Sequence, residues 1–184
     1  MHVLGIAGSL RAGSHNARLL LVARRLLPAA ARLELFGGLA AVPPYNEDLD
    51  AAQPPVPVAA LRAAIARADA LLIATPEYNG SIPGVLKNAV DWASRPFPGN
   101  ALRDKPVAVI GASTGMFGAV WAQAELRKVL GALGARVLDR ELLVGLADDA
   151  FTADGRLAEP DVERALAELV ADVTASVDAL AAAG

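Results

Sequence analysis

The chain has 184 residues, a formal net charge of -3 and no cysteine, which suits one domain that buries its core without disulfides or metals. Lacking cysteine, it can hold no disulfide, thiolate nucleophile or Cys-bound metal centre, so any redox chemistry must come from a bound cofactor. With 54% apolar and 20% charged residues and no basic run, nucleic acid and anionic membranes are excluded as partners, and surface apolar patches point to self-association. Val3-Leu4-Gly5-Ile6-Ala7 reads as a strand running into a polar loop, and Ala17 to Leu27 carries helical periodicity. Arg32 to Phe36 alternates as a strand does. Gly37 to Pro57 is a Pro-rich surface excursion whose Pro43-Pro44 stretch resists regular structure. A helix from Val58 to Arg67, a strand from Ala70 to Ala74, a loop rich in Pro and Gly, and a helix from Gly84 to Ser94 follow. Then come a strand from Pro106 to Gly111, a helix from Ala119 to Leu133 closed by Gly134, and a strand within Arg136 to Val144. Pro160 opens the last helix, Asp161 to Ala181.

Strands that alternate with helices of this length predict right-handed crossovers and a parallel sheet covered on both faces. Residues 1 to 184 therefore read as a single α/β domain, a three-layer flavodoxin-like fold with a five-stranded parallel sheet in the order 2-1-3-4-5. Ligands of such sheets lie beyond the carboxyl ends of the strands, where three polar loops converge. Met1 to Gly8 lacks the basic start and apolar core of a leader, and no stretch approaches the ~18 apolar residues of a membrane span. The expectation is a cytoplasmic protein.

The first loop, Gly8-Ser9-Leu10-Arg11-Ala12-Gly13-Ser14-His15-Asn16, joins a strand to a helix N-terminus, whose free N–H groups and dipole favour an anion. Ser9 and Ser14 offer hydroxyls, Asn16 an amide and Arg11 a planar fork matched to phosphate. Ser14 fits equally well as a plain helix cap. The GxxxxG spacing from Gly8 to Gly13 mimics a nucleotide-triphosphate loop, but Ser14 stands where the lysine belongs, and a GxGxxG dinucleotide fingerprint is missing. A monophosphate such as that of FMN fits better.

The second loop, Thr75 to Gly84, contains two prolines and two glycines, and Tyr78, Asn79 and Gly80 could offer a flat ring both an aromatic wall and backbone N–H groups. Thr75-Pro-Glu-Tyr-Asn-Gly-Ser-Ile-Pro-Gly-Val-Leu-Lys-Asn-Ala-Val-Asp-Trp-Ala-Ser-Arg95 closely resembles the signature of NAD(P)H-dependent FMN reductases, a group containing bacterial chromate, quinone and azo reductases. Gly8 to Asn16 resembles the phosphate loop of the same family, and Asn46-Glu-Asp48 its Pro-rich excursion. The resemblance implies that Ser9, Arg11, Ser14 and Asn16 hold the FMN phosphate. It further implies that Pro76, Glu77, Tyr78, Asn79, Gly80 and Ser81 line the isoalloxazine. Lys87 and Asp91, four apart on the following helix, form a weak surface pair. Trp92 is read as a residue of a subunit interface.

The third loop, Gly111-Ala112-Ser113-Thr114-Gly115, has the GxSxG form of a hydrolase nucleophile elbow. A triad in hydrolase order needs a histidine after the serine, and both histidines, His2 and His15, lie before it. The resemblance gives the loop another use: Ser113, Thr114 and Gly115 meet the pyrimidine edge of the flavin, although Gly115-Met116-Phe117-Gly118 departs from the family's paired glycines. His15 is read as a solvated residue at the helix start, and no metal site is expected. Gln123, Glu125 and Arg127 are assigned to a solvated helix face or an interface.

The resulting expectation is an oxidoreductase whose flavin takes hydride from NADPH or NADH and passes it to a quinone, azo, flavin or metal-oxyanion acceptor by ping-pong. No protein side chain acts as catalyst, since the cofactor carries the electrons. The expected assembly is a homodimer or homotetramer. The alternative is a flavodoxin-like carrier or flavin-binding module without direct NAD(P)H turnover.

Overall fold

The computed structural model describes residues 1–183, so the predicted domain end at Gly184 lies outside them. Strands β1 (His2–Ala7), β2 (Arg32–Leu35), β3 (Ala70–Thr75), β4 (Pro106–Ala112), β5 (Arg136–Val137) and β6 (Leu143–Val144) form one parallel sheet. Helices α1 (His15–Leu26), α2 (Val56–Arg67), α3 (Gly84–Ala93), α4 (Val120–Ala132) and α5 (Pro160–Ala183) connect and cover it. The order β2-β1-β3-β4-β5 is the one predicted, with β6 as a further short strand on β4.

The alternation of strand side chains explains the three layers. Leu4, Ile6, Leu71, Ile73, Val107 and Val109 face α2, α3 and α4, packing on Leu61, Ile65, Leu86 and Leu126. Their neighbours Val3, Leu72, Ala74, Ala108 and Ile110 face the opposite way, onto Leu19 and Leu20 of α1 and Leu166, Leu169 and Val173 of α5. Both faces of β3 and β4 are thus buried, which accounts for their unbroken apolar sequence.

Several expectations need correction. The predicted fifth strand is two rungs, β5 and β6, each pairing β4 and separated by the charged run Asp139-Arg140-Glu141, for which the sheet edge offers no buried place. Helices α1 and α2 each begin two residues earlier than their periodicity suggests, because Ser14 caps the first and Pro57 fits within the first turn of the second. The Pro-rich excursion holds two short 3-10 turns, Leu39–Ala41 and Glu47–Leu49; most of it is exposed, as expected, but Leu39 and Val42 anchor it in the core. Its Pro43 carbonyl accepts hydrogen bonds from Trp92 Nε1 (2.7 Å) and Asn88 Nδ2 (2.9 Å), and Tyr45 meets the Trp92 ring edge to face. Trp92 is 0% exposed within the single chain, so it is a core residue with no surface to give to a subunit interface. Gly134, at φ +88, ends α4 as expected, and the Ala135 N–H behind it bonds the Leu130 carbonyl.

Candidate flavin site

Because β1, β3 and β4 are parallel and in register, their carboxyl ends release the three loops at one edge of the sheet. The first loop leaves β1 at Gly8, whose N–H bonds the Ala74 carbonyl at 2.8 Å. A Cβ there would come within 2.8 Å of Leu86 and 3.2 Å of Pro76, so only glycine lets the first two loops pack this closely. The loops enclose a shallow cleft of about 90 Å³, open to solvent and lined by Ser9, Arg11, Ser14, Asn16, Pro76, Glu77, Tyr78, Ser113 and Thr114 together with His15 and Ala112. Nine of the predicted site residues therefore meet. Asn79, Gly80, Ser81 and Gly115 lie outside this lining.

At the head of α1, the buried Ser14 accepts a hydrogen bond from the Ala17 N–H through its hydroxyl (3.1 Å), and its carbonyl accepts from Arg18. Capping and anion binding are compatible here, because a hydroxyl oxygen that accepts still has a proton to donate. Among the described residues, the His15 and Asn16 N–H groups have no protein acceptor, leaving two first-turn donors free. Arg11 is exposed at the mouth of the loop, and its N–H reaches Ser9 Oγ at 3.4 Å. Asn16 has a structural task beside the one expected of it. Its Nδ2 donates to the Ala112 carbonyl (2.8 Å) and its Oδ1 accepts from the Ala112 N–H (3.0 Å), so the side chain mainly ties α1 to β4. One amide hydrogen remains for a ligand.

His15 is not solvated. Its side chain is 13% exposed, with Nε2 3.1 Å from Asp148 Oδ1 and the ring stacked on Phe151. Arg18 lies over the same Phe151 ring, 4.4 Å from its centroid. The segment after β6 therefore leans on the phosphate loop through contacts some 130 positions apart in sequence that no local pattern announces. A larger groove, along the flank of α1 between Arg18, Arg24, Arg25 and Thr152, lies away from the strand ends and gathers none of the loops.

In the second loop, Asn79 (φ 54) and Gly80 (φ +75) form the two central positions of a tight turn in which Tyr78 and Ser81 exchange both backbone hydrogen bonds. This is the type I′ geometry that an Asn-Gly pair favours, a signal present in the sequence. The loop is fixed to α4 at both ends by carboxylates. Glu77 Oε2 accepts from the Trp121 (3.0 Å) and Ala122 (3.1 Å) N–H groups, while Glu125 Oε2 accepts from Ser81 Oγ (2.6 Å). Of the trio assigned to a solvated helix face or an interface, Gln123 is fully buried and donates to the Gly118 and Leu142 carbonyls. Arg127 pairs with Glu141, and Glu125 braces the loop.

In the third loop, Ser113 Oγ donates to the Gly115 carbonyl at 3.3 Å, and no hydrogen bond links it to His15 among the described residues. The elbow-like GxSxG thus activates no nucleophile. The Ser113 N–H is taken by the Val144 carbonyl of β6. Gly118, at φ +55, lies against Val144, where a Cβ would stand 2.6 Å from its nitrogen, so this glycine carries the close approach. Tyr78, Met116, Phe117 and Trp121 leave large apolar surfaces exposed near the cleft. No group of His, Asp and Glu suited to a metal occurs among the described residues, and no described helix is long and apolar enough to cross a membrane.

Residues 1–149 match the profile of the family described as NADPH-dependent FMN reductase. An NAD(P)H-dependent FMN reductase of Pseudomonas aeruginosa is 48% identical over 158 residues, covering 85% of this chain and 84% of that protein. A quinone reductase of Escherichia coli is 37% identical over 146 residues, covering 79% and 77%. Among solved structures, the flavoenzyme NAD(P)H:(acceptor) oxidoreductase FerB from Paracoccus denitrificans superposes with a TM-score of 0.86 at 36% identity, over 96% of this chain and 97% of that one. The chain belongs to the NADPH-dependent FMN reductase family.

Proposed function

We propose that this chain is a single-domain, cytoplasmic reductase that holds FMN in the cleft between its three loops. Family membership makes it an oxidoreductase with FMN and NAD(P)H as its cofactors; the placement of the flavin and the choice of acceptor are our reading. Ser9, Arg11, Ser14 and the free N–H groups of His15 and Asn16 receive the phosphate. The second and third loops flank the ring, with Pro76 and Tyr78 on one side and Ser113 and Thr114 on the other. When bound, FMN would supply the redox chemistry, a ping-pong hydride transfer from NADPH or NADH to a quinone, azo compound, flavin or metal oxyanion. The protein's own task is to anchor the phosphate, present fixed dipoles to the ring and leave one face open. The exposed Tyr78, Met116, Phe117 and Trp121 support a homodimer or homotetramer whose interface borders the cleft.

The observation that carries this reading is the meeting of Arg11, two serine hydroxyls and two unpaired helix amides in one pocket at the carboxyl end of the sheet. Titration with FMN and with riboflavin, followed by flavin fluorescence, tests it. Arg11→Ala is expected to weaken FMN roughly 10- to 100-fold, the loss of a charge-assisted hydrogen bond to phosphate, while riboflavin affinity stays unchanged. Equal FMN affinity in the variant would refute the phosphate assignment. Gel filtration with light scattering showing only monomer at micromolar concentration would refute the assembly.

A further inference from the structure

Glu77 is the only acidic side chain in the lining of the cleft, an unexpected charge where an anionic cofactor is to bind. Its surroundings explain why it is there. Helix α4 begins after Ala119, a residue in the left-handed region (φ 62) whose side chain cannot cap. The N–H groups of Trp121 and Ala122, the pair a capping side chain ordinarily takes, both point to Glu77 Oε2 instead. Val120 and Gln123 are satisfied by the Phe117 and Ala119 carbonyls. The head of α4 is therefore closed to anions, and its positive end is neutralised by a carboxylate held on the second loop.

We propose that Glu77 is no ligand of FMN but a fixed negative charge that sets the reduction potential of the bound flavin. The inference rests on the placement of the ring between the second and third loops given above. Reduction adds two electrons and one proton to the ring, which gains one negative charge. A nearby carboxylate opposes that change, and the end of α4, were it uncovered, would favour it. Glu77 lowers the potential on both counts and keeps the reduced cofactor a stronger donor to its acceptor. The same carboxylate positions the loop, so its electrostatic and structural roles must be separated by experiment.

Glu77→Gln keeps an oxygen able to accept from both N–H groups but removes the charge. Glu77→Asp keeps the charge but shortens the reach. In the FMN-loaded protein, E77Q is expected to shift the reduction equilibrium roughly tenfold toward the reduced flavin, the size of one partly screened charge. For a two-electron couple this is about 30 mV in the positive direction. Spectroelectrochemical titration reads that shift, and thermal unfolding of the flavin-free protein is expected to leave E77Q near wild type. E77D should show the converse: a potential near wild type and a lowered unfolding midpoint. A potential in E77Q that does not move, or moves negative, would overturn the proposal, as would E77D and E77Q shifting it alike. Failure of the wild-type protein to take up FMN would strike the placement of the flavin, a result distinct from an unmoved potential.

Discussion

Replacing Asn16 by alanine should unfasten the flavin-free protein more than any other single change in the first loop. The side chain is 2% exposed and makes two hydrogen bonds to the backbone of Ala112, which is itself buried. Alanine would strand an N–H and a carbonyl at the end of β4. Each orphaned group costs about 1–3 kcal/mol, so the variant should lose roughly 2–5 kcal/mol, a large part of the ~5–15 kcal/mol that holds a typical domain. For a chain of this length that is a fall of roughly 10 °C in unfolding midpoint. Asn16→Asp should be at least as damaging, since it keeps the acceptor for the Ala112 N–H but sets a carboxylate oxygen against the Ala112 carbonyl. Urea titration of the flavin-free protein, monitored by circular dichroism, gives the number. A loss below ~1 kcal/mol, the level of an ordinary substitution, would show that α1 and β4 are held in register by packing alone, and the argument from the two bonds would fail.

The clasp between the phosphate loop and the segment after β6 gives a second prediction. Asp148→Ala should weaken FMN only a few fold, because the carboxylate that meets His15 is itself 73% exposed, whereas Phe151→Ala, which frees both His15 and Arg18, should weaken it more and leave riboflavin little affected. Equal losses for the two flavins would place the clasp in the fold at large and not at the phosphate end. A third concerns acid. The Thr152 hydroxyl, donating to Asp154 at 2.6 Å, holds that carboxyl below its usual range, with Arg156 and Arg25 adding to the effect. A depressed folded value means that the group's contribution to stability is full above the usual carboxylate range and is lost as pH falls through the folded value. Thr152→Val should move the Asp154 titration upward in a carboxyl-carbon NMR pH series; an unchanged midpoint would remove the hydroxyl as its cause.

What the sequence could reveal was whatever repeats locally. The apolar runs of β1, β3 and β4 and the helical periods between them sufficed for the sheet order and for the edge where the loops gather, and the Gly8–Asn16 and Thr75–Arg95 segments carried the family likeness. Contacts between distant positions were hidden. Trp92 looked like a candidate for an interface because its indole partner, the Pro43 carbonyl, is 49 positions away. Gln123 looked solvated because the room for its amide comes from Gly111, where a Cβ would stand 2.7 Å from Nε2. The bond that holds Glu77 was hidden too, because nothing in its neighbourhood points to amides 44 positions onward. In each case a polar group left unsatisfied by its own element finds its partner in another, and periodicity carries no information about such pairings.

The two helix starts at the cleft, each following a loop from a strand's carboxyl end, are set to opposite purposes by their different caps. Helix α1 is capped from within by Ser14, a neutral group that uses one amide and leaves those of His15 and Asn16 open. Helix α4 cannot be capped from within, since Ala119 has no polar side chain, and it is closed from outside by a charged one. A neutral cap preserves the positive end of a helix and a carboxylate cancels it. The cleft is therefore polarised along its length, attractive to an anion at the α1 end and not at the α4 end. A ligand with a dianionic tail and an uncharged ring has only one electrostatically favoured orientation in it.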